Sequence, residues 1–334
     1  MIFGRFPSAA RLRLGPPAAP QPQPAAQPFW RADLTFLSGL SLLYLAVTVV
    51  VVFAVDRFWS ANWDVEIFLG AARSFYDGGS LFDLYEKSVA VFYWPYPYPP
   101  LYALLLVPGV WIADRAAVLA VAPWASLLAV RLPPLLADLG IALLLYRIVL
   151  DRTAERWLAR LAAAAWLFTP ILFYQTAIQA HQESVWLLPA LAAYTLLDRN
   201  RAPGGAGGAP AAVVPFWQPA LLLTLAICLK QSAVIYAVPF GLFLLWQRRW
   251  RDLAIFAGIF LLLFGGLALP FALHSADFAY MVFEDVRNMP VQTQSWVVWL
   301  LSLTEYLVEP TRSTFPLVRH ASFVTLAAAV LLSV

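Results

Sequence analysis

An all-α, multi-spanning helical membrane protein is the fold class this sequence predicts, on three observations. Hydrophobic residues make up 62% of the 334 and charged residues 12%, with a mean hydropathy of +0.73. A soluble domain carries about 25% charged residues, so a water-soluble globule would lack the polar material to cover itself. The apolar residues fall into long runs, many near the length of about 20 residues that crosses a bilayer as a helix. Lys and Arg gather between alternate runs, as topology signals do. The length leaves room for about 9–11 such helices and none for a large separate soluble domain.

The elements follow in order. Residues 1–28 are rich in Pro, Ala and Gln, with Arg5, Arg11 and Arg13. Such a segment buries too little apolar surface to fold, so 1–33 reads as a disordered cytoplasmic tail. It is not a cleavable signal, because no apolar stretch follows its first charges closely. A helical transmembrane domain then covers 34–334. Its first span runs over about 34–55, and a large first outer loop over about 56–99, whose aromatics suit a membrane interface. Further apolar runs cover 100–113, 116–130, 131–150, 158–176, 182–198, 216–230, 231–247, 252–273, 295–309 and 320–334. The two at 100–130 are broken by Pro108 and Pro123, so they are either two tilted spans or a re-entrant pair. The Gly/Pro/Ala-rich stretch 202–215 reads as an inner connector. A second outer loop covers 274–294. The run at 320–334 is about three-quarters of a span, either a short last helix or the start of one that continues past Val334. No internal repeat is visible.

With the N-terminus placed inside and the spans alternating, 16 of the 22 Lys and Arg lie on the inner side, Arg115 among them. That asymmetry sets the orientation: N-terminus in the cytoplasm. The isoelectric point near 9.0 does not point to nucleic acid, because the positive charges are scattered between apolar runs. The single cysteine, Cys228, excludes an internal disulfide framework and a thiolate metal site.

Polar groups at membrane depth are costly and mark function. On this topology they share the outer side. Asp64 and Glu66 open the first outer loop in Trp63-Asp64-Val65-Glu66. They are either solvated surface charge or, given their apolar neighbours, a general base near a partly dry site. Gln179, His181, Gln182 and Glu183 cluster where a span begins. They either cap that helix or bind a hydroxyl-rich ligand. No further ligands lie nearby to complete a zinc site. Lys230-Gln231 occupies a tight outer turn in a chain that otherwise uses Arg, a placement suited to holding a phosphate rather than to snorkelling. Arg131 and Arg287 are further outer cations, each an interface anchor or a second phosphate contact. Asp138 lies inside a span, where it either bonds a neighbouring helix or relays protons. Tyr96-Pro97-Tyr98-Pro99-Pro100 opens the next helix, with Pro in the first turn and aromatics for the interface or a sugar ring.

The order of these motifs resembles the GT-C superfamily of integral-membrane glycosyltransferases. Asp-x-Glu at 64–66 is followed by Tyr98-Pro99-Pro100-Leu101, Ala137-Asp138-Leu139, Thr169-Pro170, the His181 turn, Lys230-Gln231, Ala237-Val238-Pro239-Phe240 and Phe283-Glu284-Asp285. The likeness covers about 34–300 and is nearest to the enzymes that use dolichyl-phosphate glucose and to their bacterial relatives. It implies a hexose passed from a polyprenyl-phosphate sugar to a lipid-linked, glycan or protein acceptor. Asp64 falls on the family's catalytic base and Glu66 on a second acid. His181, Glu183, Lys230 and Gln231 fall near the donor phosphate and sugar, with Arg131 and Arg287 as weaker matches. It implies no cofactor and leaves a divalent metal open, with membrane lipids and the donor as partners. The Arg-rich, Lys-poor composition points to a bacterial inner membrane. Two rival classes remain. A secondary transporter or flippase would also use polar residues and Pro-broken helices, with charges nearer mid-span. A noncatalytic scaffold would not need Asp64.

Overall fold

A computed structural model describes residues 30–58, 63–78, 80–91, 96–118, 124–199 and 214–285. The tail, the stretch 286–334 with Arg287, and most of the connector 202–215 lie outside the described residues. Within them all regular structure is helical. Four helices are long and apolar enough to cross a membrane: Ala32–Ala54, Pro100–Val118, Ala125–Thr153 and Trp250–His274. Arg156–Leu167 and Pro170–Ile178, bent by 40°, make a fifth if the pair is one span. Their outer faces are apolar: Leu261, Leu262, Leu269 and Leu273 are all exposed. Exposed aliphatic stripes of this kind suit a lipid solvent.

The first helix, α1 (Trp30–Phe58), carries a buried Asp33 at its start. In the first loop lie α2 (Trp63–Arg73) and α3 (Leu84–Val91), followed by α4 (Pro100–Val118) and α5 (Ala125–Thr153). One end of the bundle is tied by ion pairs, Asp33 with Arg160 at 2.7 Å and Arg152 with Asp198 at 2.7 Å. At the other end, the loop end, Phe53 of α1 meets Trp124 with ring centres 5.4 Å apart.

That contact revises the layout of 100–150. α5 is a single helix of 29 residues, and Pro133 and Pro134 sit inside it without ending it. A Pro removes one backbone donor and clashes one turn back, yet neighbouring helices offset the loss in a bundle. So Arg131 is seven residues into a helix and not at a turn between two spans. Since α5 starts beside Phe53, α4 must end near the loop end as well. Asp114 of α4 confirms this by pairing with Arg73 of the first loop, Nη2 to Oδ1 at 2.8 Å, and accepting from Tyr76 Oη at 2.6 Å. Arg115 therefore shares the loop's side rather than the inner side expected for it. The two helices pack closely here: a Cβ on Gly109 would meet Ala129 at an ordinary contact distance of 3.7 Å.

After α6 (Arg156–Leu167) the chain bends at Thr169, which is extended because Pro170 follows it. The short α7 (Pro170–Phe173) runs into a π-helical stretch, Tyr174–Ile178. Then come α8 (Glu183–Arg199), α9 (Trp217–Leu229) and α10 (Val234–Trp246). α9 and α10 have 13 residues each, so each is roughly 20 Å long. They form a short hairpin with Lys230-Gln231 at its tip. The last described span combines α11 (Trp250–Phe260), a π-helical stretch and α12 (Gly266–His274).

The core nearest the loop end is aromatic. Phe68, Tyr85, Tyr96, Tyr102, Phe271 and Phe278 are all buried in one cluster. It seats the first loop against α4 and α12.

Candidate active site

Asp64 lies in the first turn of α2, where its carboxylate meets the positive end of the helix dipole. Its Oδ2 is 3.1 Å from His181 Nε2. His181 belongs to the turn joining the π-helical stretch to α8. Its backbone N–H donates to Gln175 O at 2.8 Å, and Ala180 beside it is left-handed with φ 56°. A non-glycine residue in that region costs about 1–2 kcal/mol, and strain of this kind concentrates at functional sites. Nδ1 of His181 is 4.0 Å from Glu183 Oε1. That same carboxylate oxygen accepts from Lys230 Nζ, while Trp186 Nε1 donates to Glu183 Oε2 at 2.7 Å. The ammonium also lies 5.3 Å over the Tyr98 ring, a cation–π contact.

A line of polar side chains in contact thus runs Asp64, His181, Glu183, Lys230. It joins three segments far apart in sequence: the first loop, the start of α8 and the tip of the α9–α10 hairpin. Gln231 staples the tip to both loops. Its Nε2 donates to Pro97 O at 2.8 Å and to Val282 O at 3.2 Å. The recess also holds spare hydrogen-bonding capacity. Gln182 is 1% exposed, and neither its Oε1 nor its Nε2 has a partner; Oε1 of Gln179 and Oε1 of Gln231 lack one as well. These amide atoms are buried and have no hydrogen-bond partner among the described residues.

Beneath the site lies its support. Arg131 is 3% exposed and spends its guanidinium on backbone carbonyls. It donates to Ala177 O at 2.6 Å, Leu127 O at 2.7 Å and Ile178 O at 2.9 Å. It holds the π-helical stretch against α5 and sets the height of the His181 turn. Asp138 is fully buried, accepts from Tyr44 Oη at 2.6 Å, and accepts from Ser184 Oγ. That carboxylate ties α1, α5 and α8 together one residue from Glu183.

Five of the eight residues the sequence singles out therefore meet in one place: Asp64, His181, Glu183, Lys230 and Gln231. Glu66 does not join them. Two residues along a helix from Asp64, it lies on another face and is exposed. Arg131 is a buried clamp below the recess, and Arg287 lies outside the described residues. Sequence reasoning missed Trp186, although Glu183-x-x-Trp186 is a helical i,i+3 spacing that puts both on one face. It also missed the Lys230–Tyr98 contact, which has no local signal. Tyr236, whose ring centre is 5.6 Å from that of Trp186, also lines an open apolar crevice of about 300 Å³ beside α8 and α10. Leu187, Ala190, Leu191, Tyr194 and Tyr236 line it.

Outside the recess the first loop is pinned by a polar anchor. Asp83 Oδ1 lies 2.8 Å from His274 Nε2, and Asp83 Oδ2 accepts from the Ser80 N–H at 3.0 Å. The Ser80 amide foremost holds the Asp83 carboxyl below its ordinary value; burial opposes it, and His274 and Lys87 add to the lowering.

No protein-family model, curated protein or solved structure matches this chain.

Proposed function

We propose that this protein is a GT-C-type membrane glycosyltransferase that moves a hexose from a polyprenyl-phosphate sugar to an acceptor hydroxyl at the loop end. The observation that carries the reading is the recess itself. It puts the Asp64 carboxylate, the His181 ring, the Glu183 carboxylate and the Lys230 ammonium in one line, with an apolar crevice beside α8 and α10.

The chemistry needs those parts. Asp64 takes the proton of the acceptor hydroxyl as its oxygen attacks the anomeric carbon. The bond from that carbon to the phosphate oxygen breaks, and its electron pair leaves with the lipid phosphate. Lys230 offsets the charge that gathers there. Attack opposite the leaving group inverts the anomeric configuration. Glu183 holds Lys230 until a phosphate competes for it, and His181 orients Asp64. Gln182, Gln179 and Gln231 supply donors and acceptors for sugar hydroxyls. The prenyl tail lies in the α8–α10 crevice. No step calls for a metal ion.

Depth supports this assignment. In a hydrocarbon core about 30 Å thick, a hairpin of roughly 20 Å helices stops two-thirds of the way across. Lys230 then sits below the surface of the loop end, where a lipid phosphate and an aqueous acceptor can meet. The charge asymmetry turns that end outward, away from the cytoplasm, in a bacterial inner membrane. The same broken hairpin favours one other reading, a secondary transporter or flippase, since such proteins bind cargo at interrupted helices.

The test is sugar transfer in proteoliposomes. A panel of radiolabelled polyprenyl-phosphate hexoses is offered with a cell-envelope acceptor extract, to wild type and to Asp64→Asn. Transfer by the wild type that vanishes in the variant at equal protein level is the expected result. Transfer retained by Asp64→Asn removes Asp64 as the base. No transfer from any donor puts the transporter reading first.

A further inference from the structure

The end of the bundle opposite the recess carries a charged feature that sugar transfer does not use. Most arginines described there are neutralised. Arg160 and Arg156 lie 2.7 Å and 3.8 Å from Asp33, Arg152 lies 2.7 Å from Asp198, and Arg249 Nε donates to Asp252 at 2.7 Å. Arg248 and Arg251 differ. Both are exposed in the turn between α10 and α11, and neither has an acidic partner among the described residues. That turn reads Trp246-Gln247-Arg248-Arg249-Trp250-Arg251, and its indoles are bare: Trp246 is 75% exposed and Trp250 62%. Arg249 also lies 5.6 Å over Phe216, which fixes the turn beside the start of α9.

From the turn toward the bundle's middle, the surface changes in a fixed order. The two cations, without an acidic partner among the described residues, alternate with the two exposed indoles around the turn, and exposed Leu242 and Leu245 on α10 and exposed Leu261 and Leu262 beyond α11 follow toward the middle. A phospholipid offers the matching sequence of phosphate, polar backbone and acyl chain. Free indoles and aliphatic side chains would gain nothing from a small soluble anion, whereas they gain burial against a lipid.

We propose that the 246–251 turn binds the headgroup of an anionic phospholipid, with Arg248 and Arg251 on the phosphate and Trp246 and Trp250 at the glycerol level. The inference rests on the bundle lying in a membrane and is independent of what the recess does. Occupancy ties the α10–α11 turn to the leaflet opposite the recess. It holds the α9–α10 hairpin at a set depth.

The experiment titrates the purified full chain, in micelles, with phosphatidylglycerol and with phosphatidylcholine of the same chains, counting bound lipids by native mass spectrometry. The wild type should prefer phosphatidylglycerol. Arg248→Gln and Arg251→Gln should each weaken that lipid roughly fivefold, from the ~1 kcal/mol that a cation near an anionic surface contributes. Phosphatidylcholine binding should stay unchanged, and Arg251→Lys should keep most of the preference. Arg115→Gln, an exposed cation at the loop end, should change nothing. Equal affinity for the two lipids overturns the proposal, as does an equal loss in Arg115→Gln. Displacement of phosphatidylglycerol by excess inorganic phosphate also overturns it, by showing a site for a soluble anion. Thermal melts of each variant guard against misfolding; both side chains are exposed, so no change is expected.

Discussion

Arg131 and Lys230 look alike in the sequence, as lone cations flanked by apolar residues, and the structure gives them opposite tasks. Arg131 is sealed in the bundle with its guanidinium on three main-chain carbonyls. Those acceptors cannot leave. Lys230 sits at a hairpin tip and is held by a side-chain carboxylate and the face of a ring. Those partners can be exchanged. The carbonyls make Arg131 architecture; the carboxylate makes Lys230 available to a competing anion. A buried cation is thus read from what satisfies it, not from its burial.

Substitutions can break this contrast or sharpen it. The largest effect belongs to the Lys230 side. If the protein transfers sugar as proposed, Asp64→Asn should lower kcat about 10²- to 10⁴-fold, the usual worth of a positioned base, with the melting temperature unchanged. Arg131→Met should act in the opposite way. It removes the donor from three buried carbonyls, which should cost about 3 kcal/mol of stability, read by reversible unfolding in mixed micelles. Activity per folded molecule should fall less than in Asp64→Asn. Lys230→Gln should raise KM for the lipid donor roughly 10- to 100-fold, the loss of one charge-assisted contact. Lys230→Arg should restore most of it. A rise in KM from Arg131→Met as large as that from Lys230→Gln would erase the distinction.

The smallest effect lies outside both regions, at the Asp83–His274 anchor. The folded state holds the Asp83 carboxyl below the unfolded value of about 3.9. A depressed carboxylate stabilises the fold above the unfolded value, and that contribution is lost as pH falls through the folded one. Wild type and Asp83→Asn should therefore differ slightly at neutral pH and converge below about pH 4 in thermal melts. A difference that grows on acidification would contradict the assignment.

Much of the architecture was legible in the sequence because composition and run length report directly on a lipid solvent. α1 and the α11–α12 span follow the apolar runs at 34–55 and 252–273. The run at 100–150 misled because Pro normally ends a helix, while in a packed bundle Pro108 sits within α4 and Pro133 and Pro134 within α5; Pro123 lies outside the described residues. Charge side misled at Arg115 for a related reason: the sequence does not show that α4 turns back toward the loop end. In the recess, Asp64, His181, Glu183, Lys230 and Gln231 were legible as polar groups on one side of the membrane. What each one touches was not. His181 meets a carboxylate more than a hundred positions away, and Arg131 reaches carbonyls 46 and 47 residues on. Glu66 reads as a pair with Asp64 in sequence, two positions away, but the helix places the two on different faces.

The most direct test of the central claim is binding, not turnover. Polyprenyl monophosphate and the uncharged polyprenol of the same length are titrated into wild type, Lys230→Gln and Arg131→Lys in micelles. The account predicts that the wild type favours the phosphate, that Lys230→Gln loses the preference with its fold intact, and that folded Arg131→Lys keeps it. A preference that survives in Lys230→Gln would contradict the account, because the phosphate would then be held somewhere other than the hairpin tip.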